Sequence, residues 1–211
     1  MLVDSHSHLF LEEFAEDLPF VMERARAAGV THIFMPNIDS TTIEPMLSVC
    51  DTYRDFCFPM IGLHPTSVNE SYEKELEIVA ANLETSGRFV AVGEIGIDLY
   101  WDKTWLKEQL IAFEKQVQWA LHYQLPIVIH CREAFDYIYK VLQPYKNSGL
   151  TGIFHSFTGT PGEAVRMMEF PGFKIGINGV VTFKKSTLPE TLKSVPLERI
   201  VLETDSPYLT P

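Results

Sequence analysis

Leu2-Val3-Asp4-Ser5-His6-Ser7-His8 opens the chain, and its reading decides the fold. Taken as a strand, it turns Asp4, His6 and His8 to one face, because side chains in extended backbone alternate between two sides. Two imidazoles converging at the end of a strand are what a metal ion requires. Short apolar runs elsewhere end in Glu94, His130, His155 and Asp205. The rest of the chain is then the apparatus that brings those four groups to His6 and His8.

Outward from that stretch, helical spacing over Phe14 to Ala28 stops at Gly29, a normal helix terminator. Strand Thr31 to Ile38, helix Thr42 to Tyr53, strand Cys57 to Leu63 and helix Tyr72 to Thr85 follow. Strand Phe89 to Gly93 leads into Glu94, and a long amphipathic helix covers Thr104 to Tyr123. Strand Pro126 to Ile129 leads into His130, helix Ala134 to Tyr145 comes next, and strand Gly152 to Phe154 leads into His155. A short helix after Pro161, strand Phe173 to Ile177, a helical turn at Leu188 to Ser194 and strand Arg199 to Leu202 complete the pattern.

Strands alternating with helices imply a parallel sheet, and eight such units close most simply into a (β/α)₈ TIM barrel. The alternative is an open doubly wound sheet, but no glycine-rich dinucleotide fingerprint follows the first strand. A single barrel domain over residues 1–211 is expected. No eighth helix follows the last strand before Pro211. A barrel without its final C-terminal helix leaves apolar flank on its first and last strands exposed, so either the sequence is a piece or something else covers that seam.

Composition narrows the function. The apolar and charged fractions, 46% and 21%, are those of an ordinary globular protein. No apolar run reaches the roughly 18 residues of a membrane span, and no basic segment precedes an apolar signal core. A soluble cytoplasmic protein, monomeric and without an obligate protein partner, is the default expectation. Cys50, Cys57 and Cys131 lack metal-finger spacing and are expected to be free thiols. The net charge of −11 argues against gripping long nucleic acid through a broad basic surface. It does not exclude a nuclease, because bound divalent ions reverse the local sign of a carboxylate-lined pocket.

In a parallel barrel all strands end at one rim, where active sites collect. His6, His8, Glu94, His130, His155 and Asp205 all fall there, too many for one tetrahedral ion. They suit two ions about 3.5 to 4 Å apart with a carboxylate between them. His64, at the end of the third strand, is expected to contact substrate or to hold the loop at Pro65.

The order and wording of these blocks carry a resemblance. His-x-His, Glu, His, His and Asp on strands one, four, five, six and eight resemble the amidohydrolase superfamily. The six separate blocks Asp4-Ser5-His6-Ser7-His8-Leu9, Gly62-Leu63-His64-Pro65, Gly93-Glu94-Ile95-Gly96-Ile97-Asp98, His130-Cys131-Arg132, His155-Ser156-Phe157-Thr158-Gly159 and Glu203-Thr204-Asp205-Ser206-Pro207-Tyr208-Leu209 look like the TatD family of metal-dependent deoxyribonucleases. The resemblance spans almost the whole chain. It implies His6, His8, Glu94, His130, His155 and Asp205 as metal ligands with Glu94 bridging, and DNA, trimmed as single strands from one end, as substrate. The chemistry it implies is one these residues permit. Two divalent ions activate a shared water and clamp a phosphodiester, with zinc, manganese, nickel or magnesium all compatible with mixed ligands. Asp205 and Glu94 are the expected catalytic carboxylates, Asp205 taking or orienting the proton of the nucleophile. Arg132 is the expected phosphate fork, and Glu203 is grouped with His64 and Arg132 at the substrate, its place on Asp205's strand face also suiting it to tune the site from just below.

Blander readings stand beside these. Asp205 also suits the N-cap of a turn at Ser206-Pro207. Tyr100, Trp101 and Trp105 read as helix packing or as a surface for an unpaired base. His32 and His122 read as structural, and Lys184 and Lys185 as a solvated surface or a contact to nucleic acid backbone. The alternative enzyme is an amidohydrolase-type hydrolase of a small-molecule amide, lactone or ester, and the alternative class is a non-catalytic, metal-stabilised binding module.

Overall fold

Strands and helices alternate along the chain in a computed structural model that describes residues 1–211. In order they are β1 (Leu2–Asp4), α1 (Leu18–Ala27), β2 (Val30–Pro36), α2 (Ser40–Thr52), β3 (Cys57–Met60), α3 (Tyr72–Ser86), β4 (Val92–Asp98), α4 (Leu106–Tyr123), β5 (Ile127–Arg132), α5 (Phe135–Leu142), β6 (Gly152–Phe154), α6 (Pro161–Met168), β7 (Phe173–Ile177), α7 (Leu188–Leu192) and β8 (Ile200–Leu202). All pairings are parallel, in the orders β1-β2-β3 and β4-β5-β6-β7-β8.

Backbone hydrogen bonds join the two sheets at both edges. On one side the Ile61 N–H donates to the Ala91 carbonyl at 3.2 Å and the Gly93 N–H to the Ile61 carbonyl at 2.8 Å. On the other, the Ser5 N–H meets the Leu202 carbonyl at 3.0 Å and the Asp205 N–H meets the His6 carbonyl at 2.8 Å. The result is the expected (β/α)₈ TIM barrel. No helix follows β8 within residues 1–211, and Val3 and Leu202 lie exposed on the adjoining first and last strands. No helix is long and apolar enough to cross a membrane.

Local chemistry sets the helix ends. The Asp39 carboxylate accepts from the Thr41 N–H ahead of α2, while the Thr42 hydroxyl accepts from the Asp39 N–H. At the start of α6 the Thr160 hydroxyl accepts from the Glu163 N–H and the Glu163 carboxylate accepts from the Thr160 N–H, with Pro161 in the first turn. The expected first helix is shorter than its apolar spacing, because a separate 3₁₀ turn takes Glu12–Phe14 and Pro19 falls in the first turn of α1.

Two strands, β4 and β5, run further than the sequence suggests, β5 reaching Arg132 where an end at Ile129 is expected. The strand expected to end at Gly93 continues as β4 to Asp98 and pairs Gly96 with His130 and Asp98 with Arg132 on β5. Glycine is needed there for close approach, since a Cβ at Gly96 would collide with the His130 carbonyl oxygen. Conversely β1 stops at Asp4, and His6 and His8 lie in buried irregular chain held by bonds to β2 and to the segment after β8.

The main apolar core joins wall residues such as Ile33, Ile95, Ile129, Phe154 and Ile175 to helix residues such as Met22, Met46, Phe113, Val117 and Ile138. A smaller cluster of Met60, Ala91 and Val128, flanked by Phe34, packs inside the lower barrel. Each such side chain stabilises the fold by about 1.5 to 3 kcal/mol on burial. The rigid frame this makes is what holds the polar rim in place.

Candidate metal centre and its cleft

Glu94 sits inside β4, and its carboxylate is the hub of the rim. One oxygen, Oε1, lies 2.8 Å from His155 Nε2, 2.9 Å from His130 Nδ1 and 3.3 Å from His64 Nε2. The other, Oε2, lies 3.1 Å from His6 Nε2 and 3.6 Å from His8 Nε2. Asp205 completes the second side, with Oδ1 3.6 Å from His6 Nε2 and 3.7 Å from His8 Nε2. All six residues expected from sequence to ligate metal therefore meet in one place, together with His64. Three groups of donors are close enough to share an ion: His6, His8 and Asp205; His64, Glu94 and His130; and His6, His155 and Glu203.

The chemistry of these donors fits divalent cations. His6 and His8 turn their Nε2 atoms toward each other at 3.1 Å in a buried setting. Burial holds His6 well below the ordinary imidazole range and His8 down to about 4, so both present neutral nitrogen lone pairs. On the other side burial also opposes charge, yet the negative charge of Glu94 and Glu203 holds His155 well above its ordinary value. Burial likewise works against His130, but Asp98 and Glu94 raise it. A cation would displace the proton those carboxylates attract. Burial alone would raise Glu94, but His155, His64 and His6 together keep it ionised, well below the carboxylate range. Asp205 is pushed up to about 7 by burial, with Glu94 and Glu203 adding to the shift.

Neighbouring groups lock the ring positions. Asp98 places Oδ2 2.8 Å from His130 Nε2, while its Oδ1 accepts from the backbone N–H groups of Tyr100 and Trp101. Asp4 ties the first strand to the last, accepting from the His6 and Thr204 N–H groups and from the Thr204 hydroxyl. Asp98 has no assigned role in the sequence reading. Its signal was the alternation of Glu94, Gly96 and Asp98 on one strand face, lost by ending that strand at Gly93.

The centre opens into a cleft of about 560 Å³ lined by His8, His64, Glu94, Asp98, His130, His155 and Asp205, and at its lips by Thr66, Trp101, Arg132, Thr158, Tyr208 and Leu209. A second depression of about 380 Å³ shares Cys131, His155 and Thr158 with it and runs on across the chain after β5 and β6. Arg132 lines the cleft as expected. Glu203 does not. It is buried behind His155, with Oε1 3.5 Å from His155 Nδ1 and accepting from the Ser156 N–H. Side-chain alternation puts Glu203 on Asp205's face, but one step deeper in the barrel. Lys184 and Lys185 are exposed outside the cleft lining. His32 stacks on Phe58, and His122 is exposed on α4. Cys50, Cys57 and Cys131 are free, and burial pushes each thiol up to about 12.

Comparison with known proteins gives a consistent result. A model of the TatD related DNase family matches residues 3–211. A metal-dependent hydrolase of Bacillus subtilis, YabD, described as uncharacterized, is 36% identical over 212 residues, covering 100% of this chain and 82% of that protein. A 3'-5' ssDNA/RNA exonuclease TatD of Pantoea ananatis is 31% identical, with coverage of 100% and 81%. The crystal structure of YjjV, a TatD homolog from Escherichia coli K12, superimposes with a TM-score of 0.91 at 30% identity, covering 99% of this chain and 80% of that one.

Proposed function

The chain belongs to the TatD related DNase family, a family of metal-dependent hydrolases, and from that membership and the rim geometry we propose that it shortens single-stranded nucleic acid from one end. The observation that carries this is the division of Glu94, one oxygen facing His64, His130 and His155 and the other facing His6 and His8. We assign His6, His8 and Asp205 to one divalent ion and His130 and His155 to a second, with Glu94 shared. The donor set of nitrogens and carboxylate oxygens accepts zinc, manganese, nickel or magnesium.

When bound, such ions supply Lewis acidity toward phosphoryl oxygens and make water a competent nucleophile near neutral pH. The protein's own groups do the rest. Asp205 receives the proton of the attacking water, its carboxylate lining the cleft beside His6 and His8. Asp98 fixes the His130 ring, and Glu203 fixes His155. Arg132 reaches the phosphate as a planar fork, the one lysine or arginine among the cleft residues. The continuation of the cleft beyond the centre supports an extended chain as substrate over a compact metabolite. The exonuclease name of the Pantoea relative supplies the polarity, 3′ to 5′, and the class, single-stranded DNA or RNA.

The test is hydrolysis of end-labelled single-stranded DNA by chelated protein and by protein reloaded with manganese or magnesium, beside Asp205→Asn. Stepwise shortening that needs metal and is lost in the variant supports the proposal. A folded, metal-loaded protein that spares DNA and RNA but cleaves simple esters or lactones overturns it.

A further inference from the structure

Tyr100 and Trp101 follow β4, Trp101 on the lip of the cleft, and are 50% and 71% exposed, although large aromatic side chains are ordinarily driven inward. Sequence groups them with Trp105 as one aromatic set, for helix packing or for an unpaired base, and the structure divides that set. Trp105 packs against the cluster of Leu63, Val68, Leu76 and Ala112, whereas Tyr100 and Trp101 join none of the apolar clusters. Their exposure is nonetheless ordered. Asp98 Oδ1 accepts from both of their backbone N–H groups, at 2.9 and 3.3 Å, while Oδ2 meets His130. One carboxylate thus steadies a histidine of the centre and the aromatic turn beside it.

The two rings meet edge to face, with centroids 4.9 Å apart. Arg132 lies over them, its guanidinium carbon 3.8 Å from the Tyr100 centroid and 5.6 Å from that of Trp101. A guanidinium lying on an aromatic face keeps its in-plane N–H groups free for a phosphate fork. Trp101 and Arg132 both line the cleft that holds Glu94 and His130.

We propose that Trp101, backed by Tyr100, is a nucleobase platform: an unpaired base adjoining the cleaved phosphate stacks on the indole while Arg132 forks that phosphate. The proposal rests on the nuclease reading above and adds the origin of its selectivity. A base inside a duplex already has both faces covered by its neighbours, so only an unpaired one can take this seat. Stacking also tolerates any sequence, because every base has a π face.

Three proteins, wild type, Trp101→Ala and Trp101→Phe, are compared on two oligonucleotides. One is an ordinary single strand; the other carries tetrahydrofuran in place of the bases of its last 3′ nucleotides. The expected result is a KM about tenfold higher for Trp101→Ala on the ordinary strand, with most of the loss restored in Trp101→Phe and a change under about twofold on the abasic-ended strand. Binding is read independently of turnover: an oligothymidylate should quench tryptophan emission in the metal-free wild type and do so far less in Trp101→Phe. A Trp101→Ala defect of equal size on both strands, or none on either, overturns the platform while leaving the nuclease reading intact. A wild type that cleaves neither strand overturns the nuclease reading, and this one with it. Unchanged Tm in both variants is expected, since the indole supports no core cluster.

Discussion

The floor and the rim of this barrel are made by the same strands, two residues apart. Val128 lies below His130 on β5, Ile153 below His155 on and just beyond β6, and Val201 below Glu203 and Asp205 on and beyond β8. The floor residues Phe34, Met60, Ala91, Val128, Ile153 and Val201 line an apolar hollow of about 540 Å³, while the rim gathers seven ionisable ligand candidates around one cleft. What differs is only which side chain follows the alternation. The floor gains stability from burial, and the rim pays for function with desolvated charge. A mutation in one half should move an observable that the same kind of mutation in the other half leaves alone.

Glu94→Gln should have the largest effect, because it touches both sides of the centre. Activity should fall by at least about a thousandfold, near 4 kcal/mol of barrier. Bound metal measured by atomic emission should fall with it while circular dichroism is unchanged. Retention of both full metal content and activity would refute the hub role.

Asp205→Asn should cost about a hundredfold in kcat, near 2.7 kcal/mol. It should not lower the melting temperature of metal-free protein above pH 7. The sign follows from a folded-state carboxyl at about 7, above its unfolded value: its contribution is present in acid and is lost as pH rises through 7. A metal-free Asn variant clearly less stable than wild type at pH 8 would show that this carboxylate holds the rim together.

Met60→Ala addresses the floor. Truncating this 2% exposed side chain beside Ala91 and Val128 should remove about 2 to 3 kcal/mol of stability. Activity per folded molecule should stay within about twofold of wild type, as the change lies away from the reacting groups. A specific loss of kcat at unchanged stability would mean that the two halves are coupled.

Asp4→Asn sharpens the boundary between them, at the smallest scale. Burial raises Asp4 to about 6, against the pull of its bonds from Thr204 and His6. Its contribution in metal-free protein is therefore present in acid and lost as pH rises through 6. The melting temperature of wild type relative to the Asn variant should decline from pH 5 to pH 7.5, and a flat difference across that window would contradict it.

Much of this molecule is legible locally. Strand alternation is a spacing of two, so apolar runs ending in His130, His155 and Asp205 announce both a parallel barrel and a rim of ligands without any knowledge of contacts. The His6-x-His8 pair is legible for the same reason, although its backbone leaves the strand at Asp4. Boundaries at glycine are less so. Gly93, read as a strand end, and Gly96 prove to be close-approach positions in a long strand, because the need for a missing Cβ is set by β5, not by β4.

What only the tertiary structure decided concerns atoms brought together from distant segments. No local pattern says that Glu94 offers one oxygen to each side of the centre, that Asp98 serves His130, or that Glu203 lies behind His155. Nor does sequence separate Trp105 in a core cluster from Trp101 on the lip. A residue's type and the strand it follows determine which face it takes. How deep it lies, and which oxygen meets which nitrogen, is determined by closure of the barrel, which brings positions up to 200 residues apart, as in Asp4 and Thr204, into hydrogen-bond contact.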